Sequence, residues 1–82
     1  MIDEKTTLDE LFVHAKNATN MVRKEEIFIV KDLFTGLEWN RIPKSLRTKL
    51  GSMFLLYVKG QNPKIFTENG KTPQNQQIYK RV

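Results

Sequence analysis

At 82 residues, with one Trp, two Tyr and five Phe, the chain has material for one compact core and no room for a second domain. The absence of cysteine and the single histidine, His14, exclude disulfides, thiolate metal centres, cysteine nucleophiles and an ordinary structural zinc site, so no cofactor is expected. The formal charge of +5 is unevenly spread: residues 1–40 carry five Lys/Arg against eight Asp/Glu, a net −3, and residues 41–82 carry nine against one, a net +8.

In chain order, Thr7-Leu8-Asp9-Glu10 has the form of a capping box and opens a helix predicted from Leu8 to Asn20. Leu8, Leu11, Phe12 and Ala15 make its apolar stripe. Glu26-Ile27-Phe28-Ile29-Val30 reads as a short strand that needs partners from elsewhere in the chain. Lys31-Asp32-Leu33-Phe34 is predicted to start a short helix stopped near Gly36, with Leu37, Trp39 and Ile42 in a connection. The longest helix is predicted from Pro43 to Val58, with Leu46, Leu50, Met53, Phe54, Tyr57 and Val58 on its buried face. Lys64–Thr67 and Gln76–Val82 read as the strands of a hairpin turning at Asn69-Gly70, with Ile78 inward and Tyr79 on the other face.

Helix, strand, short helix, long helix and hairpin is the order of an α+β winged helix-turn-helix domain over residues 1–82. In that arrangement the lone strand pairs with the hairpin. The residues Phe28–Phe34, Trp39, Pro43, Arg47, Leu50-Gly51, Phe54, Gly70-Lys71 and Asn75–Arg81 carry a resemblance to a small uncharacterised family of bacterial and phage proteins, a domain of unknown function. The resemblance covers residues 28–82, leaves Met1–Glu26 outside, and implies a compact winged-helix-like domain without supplying an activity.

A strongly basic half is the electrostatic footprint of a polyanion. In a helix-turn-helix protein the start of the second helix faces the bases. That start here offers Lys44, Ser45 and Thr48, flanked by Arg47 and Lys49, with Ser52 further along and no carboxylate among them. Lys71 at the hairpin tip, with Lys80 and Arg81 behind it, is expected to reach phosphates. The expected partner is DNA, with RNA or a single strand as further possibilities. The same helix also serves as an ordinary solvated face, and the wing as a polar turn chosen for its geometry, in a reading without function.

The alternative is a protein-interaction module on the same fold, favoured by Leu55, which stands apart from the apolar stripe as a candidate interface, and by the acidic first helix. A monomer and a homodimer are both compatible with this pattern. The carboxylate pairs Asp3/Glu4, Asp9/Glu10 and Glu25/Glu26 lie on solvent-like positions without a shaped pocket, and no glycine-rich phosphate loop is present, so no catalysis is expected. The longest apolar run, Met53–Val58, is far short of the roughly 20 residues of a membrane span. The first residues lack the order of a signal peptide. A cytoplasmic protein without membrane contact is expected.

Overall fold

The computed structural model describes residues 2–82 as an α+β fold with three α-helices and a three-stranded antiparallel sheet. Helix α1 spans Leu8–Ala18 and runs on into a 3₁₀ turn at Thr19–Met21. Its capping box is formed: the Glu10 amide donates to the Thr7 hydroxyl at 3.2 Å, and the Thr7 amide donates to Glu10 Oε1 at 3.0 Å. The acidic segment before it is docked rather than a separate arm. Ile2 is buried, and Arg41 Nη1 donates to its carbonyl at 3.3 Å.

Strand β1 is only Ile27–Phe28, shorter than the predicted Glu26–Val30. The chain leaves the sheet because Asp32 Oδ2 accepts the Ile29 amide at 3.0 Å and starts a 3₁₀ turn at Val30–Leu33. Local side-chain-to-backbone bonds of this kind compete with sheet ladders. The short helix is also displaced. Helix α2 spans Gly36–Arg41, so Gly36 begins a helix instead of ending one, and Trp39 lies within it. The reason is a second capping box: the Glu38 amide donates to the Thr35 hydroxyl at 3.1 Å, and the Thr35 amide to Glu38 Oε1 at 2.8 Å. Helix α3, Lys44–Lys59, follows Pro43 as the sequence leads one to expect.

Strands β2 (Phe66–Lys71) and β3 (Gln77–Arg81) complete the sheet in the order β1-β3-β2. The predicted pairing of the lone strand with the hairpin is therefore present. The turn is not at Asn69-Gly70. Those residues lie inside β2, where the pairing slips between Glu68 and Lys71 and Gly70 takes φ +86°, a conformation that suits a residue without Cβ. The chain reverses at Thr72–Gln76, closed by Thr72 N to Gln76 O at 2.8 Å, with Asn75 at φ +65°.

The inward face of β3 is the one opposite to that predicted. Tyr79, not Ile78, is fully buried, because Tyr79 pairs with Phe28 on one side and Glu68 on the other. A one-residue misreading of a strand exchanges its faces. Around Tyr79 sit Phe28 and Phe54, with ring centroids at 5.7 and 5.1 Å, and Phe66 closes on Phe28 at 5.4 Å. Leu11 and Ala15 of α1 and Leu50 of α3 are also fully buried. Among the described residues no helix is long and apolar enough to cross a membrane.

The Tyr79 hydroxyl is buried with no hydrogen-bond partner among the described residues, and burial, aided by the Glu68 carboxylate, pushes its pKa up to about 12. Removing an unsatisfied buried hydroxyl is neutral or favourable. Tyr79→Phe is expected to leave stability in urea unchanged or raise it by up to about 1 kcal/mol; a clear loss would mean the hydroxyl has a partner. The Glu10 and Glu38 carboxyls are held below their ordinary value of 4.5 chiefly by the backbone amides of Thr7 and Thr35. Their stabilisation is full above that value and is lost as the pH falls through the lowered folded values. A Glu10→Gln/Glu38→Gln variant should lose stability less steeply than the parent as the pH is lowered below 4.5, measured by thermal unfolding across that range.

Candidate nucleic-acid interface

The first three turns of α3 and the hairpin turn face each other across a cleft of about 480 Å³. Lys44, Arg47, Thr48 and Gly51 form the helix wall. Gln74, Asn75, Gln76 and Gln77 form the hairpin wall, and Lys31 comes in from the 3₁₀ turn. Among the described residues no carboxylate lines the cleft. Three cations without a counter-charge make it attractive to an anion. The side-chain amides of Gln74, Asn75 and Gln76 add donors and acceptors suited to base edges, while the Gln77 amide donates within the hairpin, to the Gly70 and Ile78 carbonyls at 2.8 and 3.1 Å.

Local structure explains how each part is held. Pro43 sets the start of α3 but brings no side-chain cap, and the first turn contains no acid. The unsatisfied amides and the positive end of the dipole therefore lie beside Lys44. Arg47 is half-buried: its Nε donates to the Ile42 carbonyl at 2.9 Å, and its guanidinium carbon lies 5.3 Å from the centre of the Trp39 ring. These contacts fix its position and leave it part of the wall rather than a freely reaching side chain. Gly51 has open space where a Cβ would be, so the cleft is unobstructed there without any demand from the backbone.

The predicted site residues divide. Lys44, Arg47 and Thr48 meet at the cleft. Ser45, Lys49 and Ser52 are exposed on the outer side of α3 and do not line it. Lys71, at the end of β2, is exposed but also outside the lining. Lys80 and Arg81 are engaged within the fold. Lys80 Nζ lies 3.0 Å from Glu25 Oε2, Arg81 Nη1 donates to the Val22 carbonyl at 3.0 Å, and the Arg81 Nε is buried. Both residues fasten β3 to the segment before β1, which corrects their expected availability to phosphates.

Leu55 is half-buried and packed against the core, so the exposed leucine of α3 is instead Leu56. Tyr79, expected on the outer face of its strand, is core. Lys31 and the pair Gln76-Gln77 were not singled out as contacts from the sequence. Nothing near Lys31 marks it, because only the turn after β1 carries it to α3.

The sequence model of a family described as a domain of unknown function, DUF1413, matches residues 13–81. The match reaches back into α1, beyond the segment 28–82 that carries the resemblance. Neither the curated proteins nor the solved structures gave a match.

The different anchoring of the two α3 cations sets a measurable contrast. Arg47→Ala removes a charged hydrogen bond and a ring contact and should cost about 1–3 kcal/mol of stability in urea. Lys44→Ala, at an exposed position, should stay within about 0.5 kcal/mol.

Proposed function

We propose that this chain, which belongs to the DUF1413 family of domains of unknown function, is a winged-helix protein that binds nucleic acid, DNA in the first instance. In this reading α2 and α3 are the helix-turn-helix pair and the β2–β3 hairpin is the wing. The element order and the sheet order β1-β3-β2 support it. The observation that carries the functional part is the cleft between α3 and the wing, with Lys31, Lys44 and Arg47 and no carboxylate. Phosphate oxygens neutralise those cations and meet the free amides at the start of α3. Gln74, Asn75 and Gln76 are then the groups that face a base edge.

A second form of the reading concerns the nucleic acid itself. Duplex recognition by a helix-turn-helix needs the second helix to stand proud, since an α-helix about 10–12 Å wide has to fill a major groove about 12 Å wide. Here the hairpin turn stands beside the first turns of α3 and shares a cleft with them. A concave, amide-walled channel favours a single strand, whose backbone follows the cations while its bases turn towards the glutamines. Duplex contact would use the outer edge of α3, with Ser45, Lys49, Ser52 and the hairpin residue Lys71.

The test is a titration of a labelled strand and of its duplex at two salt concentrations. Binding should weaken steeply with salt, with a slope that reports about three neutralised phosphates. Lys44→Glu and Lys31→Glu should each weaken binding and lower the slope by about one or more. A tighter complex with the strand supports the cleft. A tighter complex with the duplex, lost in Lys49→Glu but kept in Lys31→Glu, supports the outer edge. No binding to either at low salt would sink the nucleic-acid reading.

A further inference from the structure

A second cleft, of about 830 Å³, lies between α1 and the segment Glu26–Glu38, and it shares no lining residue with the basic one. Its chemistry is the reverse. Among the described residues Glu26, Asp32 and Glu38 line it and no Lys or Arg does; His14 lines it as well, with Nε2 3.8 Å from Glu38 Oε1. Apolar side chains line it too, Leu33, Phe28 and Phe34 being buried. Two further apolar side chains in its lining, Met21 and Ile27, are 83% and 59% exposed. Large apolar side chains left in water beside an apolar hollow mark a contact surface.

The three carboxylates are held in place by the backbone. Glu26 Oε1 accepts the Arg23 amide at 2.6 Å, Asp32 Oδ2 the Ile29 amide at 3.0 Å, and Glu38 Oε1 the Thr35 amide at 2.8 Å. The other oxygen of each has no hydrogen-bond partner among the described residues. Acceptors fixed before binding lose little conformational freedom when a cation arrives.

We propose that this cleft docks a cationic, amphipathic segment of a partner protein. An apolar side chain of that segment covers Met21 and Ile27, and its Lys or Arg side chains meet Glu26, Asp32 and Glu38. The carboxylates repel a phosphate backbone, so the occupant is not nucleic acid. The net charge of +5 opposes a second copy of this chain. The proposal does not depend on the nucleic-acid reading, since the two clefts have separate walls. If both hold, the domain joins a polyanion on one surface to a basic protein segment on another.

The probe is a synthetic amidated 14-residue peptide of leucine and lysine at helical spacing, titrated into the ¹⁵N-labelled full chain. A peptide with glutamate in place of lysine is the control. Amide shifts are expected at Met21, Ile27 and Glu38 with the lysine peptide and not with the control. Met21→Lys and Ile27→Lys are each expected to weaken binding at least about tenfold, and their own spectra report that they are folded. Equal binding by the glutamate peptide, shifts centred outside the cleft, or no shifts at millimolar lysine peptide would overturn the proposal. Shifts in the cleft that grow with protein concentration alone and vanish in Met21→Lys would assign it to a second copy, and would overturn it as well. A Lys44→Glu chain that fails to bind nucleic acid should still bind the lysine peptide with unchanged affinity.

Discussion

The packing of Phe28 against Tyr79, Phe54 and Phe66 is the contact on which the rest of the fold depends. Phe28 sits on a strand of two residues, and two residues of ladder cannot hold a strand in water. The ring supplies what the ladder lacks. It touches β3 through Tyr79, α3 through Phe54 and β2 through Phe66, so one side chain joins the hairpin, the longest helix and the segment after α1. Aromatic side chains bury the most apolar surface per residue, and a small domain has few other means of filling its centre. The unsatisfied Tyr79 hydroxyl belongs to the same arrangement: the ring is held deep by its neighbours although its polar end finds no partner there.

Fixing Phe28 also fixes where the chain goes next. The 3₁₀ turn at Val30–Leu33 begins directly after the strand, and it sends Lys31 towards α3 and Asp32 towards α1. Adjacent residues of one turn thus contribute opposite charges to two different clefts. The separation of charge along the sequence becomes a separation of surfaces in space. Glu26, Asp32 and Glu38 line one cleft with Met21 and Ile27, while the basic start of α3 faces the hairpin. The pair Lys80 with Glu25 crosses this division, whereas Lys59 with Glu68 lies within the basic half. Exposed pairs of this kind contribute little stability, so the surface charge is largely left for contacts outside the chain.

The parts of the fold that were legible in advance rest on local chemistry. The Thr7–Glu10 box and the stripe Leu8, Leu11, Phe12 and Ala15 define α1 within two residues of its end. Pro43 and the spacing from Leu46 to Val58 define α3. The misreadings also have local causes. Thr35–Glu38 is the same box as Thr7–Glu10, but no long apolar stripe follows it, and a glycine next to it reads locally as a helix stop. Asn69-Gly70 is a strong turn pair, and here the glycine serves a bulge while Asn75 makes the reversal. Of the candidate contacts, Lys44, Arg47 and Thr48 were legible because helical spacing puts them on one wall. Lys80 and Arg81 were not, because charge alone does not tell a free cation from one that fastens a strand.

The sequence by itself determined the fold class, the starts of α1 and α3, the absence of thiol chemistry and the imbalance of charge, since each depends on residue type and on spacing within one or two turns. Tertiary structure decided which face of β3 is buried, that the hairpin stands over α3, that Lys31 joins Lys44 and Arg47, and that Met21 and Ile27 are left exposed beside three carboxylates. Those outcomes depend on contacts between residues far apart in the chain. They follow from the sheet register Phe28 to Tyr79, and a register is set by how side chains pack, not by the order in which they are written.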